Sequence, residues 1–560
     1  LPKGKSRKSA KKDDLVVVLG GRTGRDGIHG ATFSSTGLHD KSEELSGGAV
    51  QIGNAIVEKC VLDLILQARD KNLYTSITDC GAGGLSSAVG EMGEQLGAEV
   101  DLEKVPLKYE GLSYSEIWIS EAQERMVLSV PPKHEKALRK LCEGEDVEMS
   151  VIGKFTGDGF LHLRYDGETV GNLGMEFLHD GLPRWITTAS YSPKKGKEPD
   201  LPEKKSYNED LLGVLGRWNI CSKEWIVRQY DHEVQGGSVL KPLVGAFDDG
   251  PGDAAVVRPV LGSTRGLAIG CGIYPQYSDL SAYDMAACSI DEAIRNIVSV
   301  GADPSRVALL DNFSWGSPND AENMGALMRA SEACYDVAMA YGTPFISGKD
   351  SLHNEYRIGE KRIVIPHTLL ISAISIVKDI QKCITMDAKG PGDVLYLVGQ
   401  TRNELGGSQY YGLHGELGAH VPVVDLALGK KIFTSVAKVI QKGLVRACHD
   451  LSEGGLAVAA AEMAFAGELG IRLNLENVSR SADLSREDTL LFSESPSRFL
   501  VEVRGRDVDQ FEELMEGVPC SAIGEVVSGK DFTIRGQGGS KLVNLTIDEM
   551  KEAWKKPLQW

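Results

Sequence analysis

The 560-residue sequence lacks any C-x-x-C pair, although ten cysteines are dispersed from Cys60 to Cys520. Scattered thiols argue against a zinc site and against a disulfide framework, and are expected to stay reduced in a cytoplasmic protein. No stretch approaches the ~18 apolar residues of a membrane span. No histidine pair has the H-E-x-x-H spacing and no G-x-S-x-G turn occurs, which removes zinc-peptidase and α/β-hydrolase chemistry. The formal charge is -18 without a sustained basic stripe, so nucleic acid is not an expected partner. A net acidic protein can still hold nucleotides where Mg2+ mediates, because carboxylates then become ligands. The opening LPKGKSRKSAKK is basic without an apolar core and reads as a linker over residues 1–14 rather than a signal peptide.

Glycine is what the sequence has in excess: 64 of 560 residues, about 11% against roughly 7% on average. LVVVLGGRTGRDGIHG (15–30) is a strand-like run entering a loop with five glycines, shaped to wrap something anionic yet fitting neither standard phosphate-loop pattern. A repeat organises the rest. TDCGAGGLSSAVGEMGEQLGAEVDL (78–102) matches HDLSEGGLAVAAAEMAFAGELGIRLNL (449–475), with Asp79 meeting Asp450 and Gly83-Gly84-Leu85 meeting Gly454-Gly455-Leu456. SEAQERMVLSV (120–130) then meets SESPSRFLVEV (493–503). Several ordered blocks at a nearly constant offset mean two copies of one domain. The expected domains are 15–175 (first copy), a linker over 176–235 containing KKGKEPDLPEKK, a companion domain over 236–380, and 381–560 (second copy). A companion before only one copy implies another ahead of residue 15, so the sequence is expected to be an excerpt of something longer.

In each copy an Asp precedes Gly-Gly and a helix-like stretch. Such an Asp can hold Mg2+ while helix-start amides take phosphate oxygens, or it can simply cap the helix. In the companion domain, FDDGPGDAAVV (247–257) is an acidic turn, and Glu292 and Asn296 are spaced i, i+4 on one predicted helix face. LLDNFSWGSP (309–318) places Asp311 at a strand end. FISGKDSLHNEY (345–356) has a Walker-like Gly-Lys-Asp-Ser, but the upstream glycine is missing, so a P-loop is rejected. Cys271 in GCGIYP reads as structural. Together these point to a nucleotide and Mg2+ on an uncommon fold.

GGRTGRDGIHGATFSS, AVQIGN, TDCGAGGLSSAVGEMGE, SEAQERM, DEAIRNI, SGKDSLHNE and HDLSEGGLAVAAAEMA resemble, in order, the synthetase component of the phosphoribosylformylglycinamidine synthase family. The resemblance implies an α/β fold, a tandem repeat of aminoimidazole-ribonucleotide-synthetase-like domains whose N-terminal type pairs as half of a β-barrel. It implies a ligase of purine biosynthesis that converts formylglycinamide ribonucleotide, ATP and glutamine-derived ammonia to the amidine, ADP and phosphate through an iminophosphate. It implies substrate contacts at Gln51, Glu121, Ala122, Gln123 and Ser351, nucleotide contacts at Asp311, Gly348 and Ser452, and Mg2+ ligation at Asp79, Asp253, Glu292, Asn296 and Asp450. Of these, Asp253, Glu292, Asn296, Asp450 and Ser452 resemble ligands of an auxiliary, structural Mg2+–ADP site. Lys349-Asp350 stands where shorter relatives carry Asn-Val, and Asn54 where they carry Asp.

The family's catalytic histidine lies in the N-terminal domain, and the glutaminase is a further domain or subunit. No catalytic residue is therefore expected within these 560 residues, which are expected to be inactive without those partners. Two other readings stay open. One is a nucleotide-binding scaffold that is catalytically incomplete; the other is a different ATP-dependent enzyme of the superfamily, such as a selenophosphate synthetase or a hydrogenase-maturation protein.

Overall fold

The computed structural model describes residues 9–28, 38–39, 53–230, 232–482 and 484–559. The chain divides into two compact units, residues 1–187 with 355–363, and residues 188–354 with 364–560.

In the first unit, β1 (Leu15–Gly20) is an interior strand of a seven-stranded sheet, and its apolar run is explained by burial on both faces. Side chains alternate across a strand: Val17 and Leu19 enter a core with α1 (Ala55–Asp70), while Val16 and Val18 enter a second core with α2 (Gly84–Gly93). The remaining strands are β2 (Ser76–Cys80), β3 (Ala98–Asp101), β4 (Ala122–Val130), β5 (Met149–Phe155), β6 (Phe160–Tyr165) and β7 (Glu168–Gly174), in the sheet order β2-β4-β1-β5-β3-β6-β7. α3 (Tyr114–Ile119) and α5 (Met175–Asp180) join α2 on one face, and α4 (Glu135–Gly144) joins α1 on the other.

The second unit opens with α6 (Asn208–Leu215). It continues into a six-stranded sheet made of β8 (Ser238–Leu240), β9 (Ala255–Val257), β10 (Gly266–Ile273), β11 (Val307–Ser314), β12 (Phe345–Ser351) and β13 (Thr368–Val377), ordered β12-β11-β13-β10-β9-β8. One face packs under α7 (Ala282–Ser299) and α8 (Ala321–Tyr341). The sheet is open, not a closed barrel, and Ile269, Ile273 and Ile346 stay exposed.

The second copy then repeats the first. β14 (Val394–Val398), α9 (Leu426–Gln441), β15 (Val445–Asp450), α10 (Gly455–Gly467), β16 (Gly470–Asn474), α11 (Glu487–Phe492), β17 (Phe499–Val503), α12 (Val508–Leu514), β18 (Cys520–Val527), β19 (Asp531–Arg535), β20 (Lys541–Thr546) and α13 (Ile547–Lys555) follow. The sheet order β15-β17-β14-β18-β16-β19-β20 is that of the first sheet, strand for strand. α9 and α12 share one core with the six-stranded sheet and its helices, which is why the last two sequence regions form one unit. The stretch expected as a linker, 176–235, is partly built in. Tyr207, Leu211, Val214 and Leu215 recur at helical spacing and are buried in the core of the second copy.

Candidate functional site

The Gly-Gly of each copy has a steric cause. Gly84 and Gly455 have φ of 57° and 63°, and a Cβ on either would collide with the carbonyl of Ser120 or Ser493. The preceding Gly83 and Gly454 are the N-cap residues of α2 and α10, and neither helix has a side-chain cap. Asp79 is therefore not a helix cap. Its Oδ1 accepts from the Gly81 N–H at 2.9 Å. The loop amide is taken instead by the acid of the Ser-Glu motif: Gly83 N–H donates to Glu121 Oε1 at 3.1 Å, and Gly454 N–H to Glu494 Oε1 at 2.8 Å. A buried arginine repeats as well, with Arg125 bonding Thr23 and Ser120 and Arg498 bonding Thr401 and Ser493.

In the second unit, five residues singled out from dispersed motifs, Asp253, Glu292, Asn296, Asp450 and Ser452, line one cavity of about 500 Å³. Glu292 and Asn296 sit one turn apart on α7, and glycines in β10 let that helix approach. A Cβ on Gly272 would collide with the Ser289 carbonyl, and one on Gly270 would lie 3.1 Å from Asn296 Cβ. Glu292 Oε2 accepts the Ile273 N–H at 2.7 Å, and Asn296 Nδ2 donates to the Cys271 carbonyl at 2.8 Å. Asp450 ends β15 and accepts from Arg295 Nε at 3.2 Å. The cavity also takes in Lys223, Cys271, His449, Glu453 and Glu462.

Electrostatically the cavity is short of positive charge. Burial pushes the Glu292 carboxyl well above its usual range, and Glu453 and Asp450 add to this by repulsion. Burial and the charge of Glu494 push Glu453 up to about 8. Burial likewise raises Asp450 and Glu462. His449 moves up despite its burial, because its ring nitrogens face Asp253 Oδ1 at 2.6 Å and Glu462 Oε2 at 2.9 Å. Asp253 Oδ2 is buried without a hydrogen-bond partner among the described residues. Asp253, His449 and Asp450 can bring one ligand atom each within 4.8 Å of one another. An orphaned carboxylate oxygen, crowded acids and an amide oxygen donor fit a hard divalent cation such as Mg2+.

The other expected site residues lie elsewhere. Asp311 and Gly348 are cross-strand neighbours on β11 and β12, where a Cβ on Gly348 would collide with the Asp311 carboxylate. Burial raises the Asp311 carboxyl, and Ser351 is bonded by Lys349 Nζ. In the first unit Asp79 is exposed, Glu121 and Ala122 are buried, and Gln123 faces out. Arg25 of the glycine-rich loop pairs with Glu116 at 2.7 Å. Gln51 and His29 lie outside the described residues.

His449, Glu453, Glu462 and Lys223 line the cavity without a motif that predicts it, and Cys271, expected to be structural, lines it too. Comparing the two copies could have found two of them, since His449 replaces Thr78 and Glu453 replaces Ala82. Glu462 repeats Glu91, so the copies do not differ there, and nothing in the sequence distinguishes Lys223.

Comparison with known families matches residues 11–166 and 390–537 to the AIR synthase related protein, C-terminal domain, and residues 251–365 to the N-terminal domain of that family. The phosphoribosylformylglycinamidine synthase subunit PurL of Thermoplasma acidophilum is 33% identical over 558 residues, covering 98% of this chain and 71% of the relative. Its counterpart in Methanocaldococcus jannaschii is 36% identical over 560 residues, covering 97% and 73%. Among solved structures, T. maritima PurL complexed with FGAR superposes with a TM-score of 0.63 at 24% identity, over 93% of this chain and 72% of that one.

Proposed function

Since this chain belongs to the phosphoribosylformylglycinamidine synthase family of ATP-dependent purine-biosynthesis ligases, we propose that its acid-lined cavity is a Mg2+–nucleotide site within that enzyme. The family reaction joins ammonia to formylglycinamide ribonucleotide at the expense of ATP. The observation that carries the reading is convergence: Asp253, Glu292, Asn296, Asp450 and Ser452, from dispersed motifs, line one cavity in which five carboxyl groups crowd together.

Asp253, Glu292 and Asp450 would hold the cation through carboxylate oxygens and Asn296 through its amide oxygen, with the Ser452 hydroxyl toward the nucleotide. Bound there, Mg2+ offsets the charge of the diphosphate. The residues themselves keep water out and fix the geometry, with Arg295 orienting Asp450 and His449 orienting Asp253. We assign this site a structural role. In the first unit, substrate contacts are assigned to Gln51, Glu121, Ala122 and Gln123 and Mg2+ ligation to Asp79. In the second unit, nucleotide contacts are assigned to Asp311 and Gly348, which share a strand register, and a substrate contact to Ser351. Solved relatives carrying FGAR, ATP or ADP support these ligand classes.

Domain boundaries at 15–175, 236–380 and 381–560 are proposed on the sheet repeat, and the catalytic histidine and the glutaminase are assigned to partner domains or subunits. All ten cysteines are unpaired, which supports a reducing, cytoplasmic location. No helix among the described residues is long and apolar enough to cross a membrane.

The test is amidine formation from ammonia, ATP and formylglycinamide ribonucleotide, by residues 1–560 alone and with the N-terminal domain of a relative added. Activity only in the mixture is expected, with ADP and phosphate formed in step. Turnover by residues 1–560 alone, or none in the mixture, would reject the assignment.

A further inference from the structure

The two copies differ in what covers one groove. In the second copy, α6 lies against α10, α13 and β20 and buries Tyr207, Leu211, Val214 and Leu215 in a core with Leu491, Val543 and Met550. The helix is also tied to the edge strand: Tyr207 N–H donates to the Leu542 carbonyl at 2.8 Å, Asn208 Nδ2 to the Asn544 carbonyl at 3.1 Å, and Asn544 N–H to Asn208 Oδ1 at 2.9 Å.

The equivalent place in the first copy is an open groove of about 520 Å³ between α2, α3, β6, β7 and α5. Strand register makes Leu173 the counterpart of Leu545, and α5 and α13 follow those strands directly, so Leu178 matches Met550. Leu173 is 41% exposed where Leu545 is 8%, and Leu178 is 38% exposed where Met550 is fully buried. Asn172 occupies the edge position of Asn544, so the groove keeps the residue that clasps α6 in the other copy.

We propose that this groove docks an amphipathic helix of the residue 207–215 type. Such a helix has an aromatic residue and an amide side chain at its start, followed by aliphatic residues four, seven and eight positions after the aromatic. It is supplied by polypeptide outside residues 1–560. The curated relatives are longer than the matched region, which spans 71–73% of their length, so they have sequence from which such a helix can come. The groove is amphipathic in the required sense: apolar on its floor, at Leu161 and Leu163, and polar along α2, at Ser86, Ser87 and Glu91. This inference is independent of the nucleotide site, so neither result decides the other.

The probe is a fluorescein-labelled synthetic peptide with the sequence of residues 205–219, added to the 560-residue chain and read by anisotropy and by hydrogen exchange. Saturable binding is expected, with slowed exchange over residues 168–180. Binding should weaken roughly tenfold or more in a Leu178→Asp chain, and equally when the peptide carries Leu211→Asp with Val214→Asp. Leu178 is exposed, and a thermal melt checks that the variant folds. No saturable binding up to about 1 mM, or equal binding by the Leu178→Asp chain, overturns the proposal. So does self-association of the chain that Leu178→Asp abolishes, because the occupant is then a second copy.

Discussion

His449 Nδ1 lies 2.6 Å from Asp253 Oδ1, joining residues 196 apart in sequence across the cavity. With Glu462 on its other nitrogen, the ring is a charged bridge between two buried acids. Removing one member of a buried ion pair leaves the other uncompensated, which costs about 3–5 kcal/mol. His449→Ala is therefore expected to lose that much in urea unfolding of the metal-free chain. A loss below about 1 kcal/mol, the range of an exposed pair, would mean that the bridge does not form.

The Gly-Gly turn makes a steric prediction. Gly443 has φ 74° with open space around its missing side chain, whereas Gly455 has φ 63° with the Ser493 carbonyl in the way. Gly443→Ala should cost about 1–2 kcal/mol, the left-handed penalty alone. Gly455→Ala should cost clearly more, and equal losses in thermal melts would remove the collision from the account.

Much of this architecture was legible because the repeat was. Matched blocks such as Asp79/Asp450 and Gly84/Gly455 predicted two copies, and the two sheets share one strand order. The i, i+4 pair Glu292 and Asn296 predicted a helix face that α7 provides. Packing that depends on distant partners was not legible. Tyr207, Leu211, Val214 and Leu215 sit beside a Lys- and Pro-rich stretch with the composition of a linker, and local composition cannot show that β20 and α13 lie over them. Glu121 is expected as a substrate contact, and Glu494 is its match in the second copy. Their bonds to the Gly83 and Gly454 amides appear only once strand and loop are brought together.

Glu494 supplies a pH test. Burial raises its carboxyl to about 7, although Tyr277, Gly454 and Gln409 all donate to it. The folded state thus holds a proton that the unfolded chain releases near the usual carboxylate value. The stability tied to this group is complete below about pH 4.5 and falls as pH rises to about 7. Glu494→Gln keeps the amide bonds and removes the titration. The variant should gain on the parent by up to about 3 kcal/mol between pH 5 and 7.5, measured by denaturant unfolding. A gap constant with pH would contradict the assignment.

Crowding of acids makes opposite predictions for the empty and the loaded cavity. Glu453 is held up to about 8 by burial and by the charge of Glu494, so near pH 7 the folded metal-free chain must keep it protonated, and Glu453→Gln removes that cost. A Tm higher by about 2–4 °C is expected in EDTA. The same variant should gain less than the parent from added Mg2+ and ADP, since an amide, unlike the carboxyl, cannot ionise to meet the cation's charge.

The most direct test of the nucleotide cavity is calorimetric titration of ADP into the chain, with Mg2+ and with EDTA. The parent is expected to bind about one ADP per chain, only with Mg2+, as a single filled site gives. Asp253→Asn, which alters the orphaned carboxylate, should weaken binding roughly tenfold or more, equivalent to about 1.4 kcal/mol. Magnesium-independent binding, or equal affinity in Asp253→Asn, would contradict the assignment of the cavity as a Mg2+–nucleotide site.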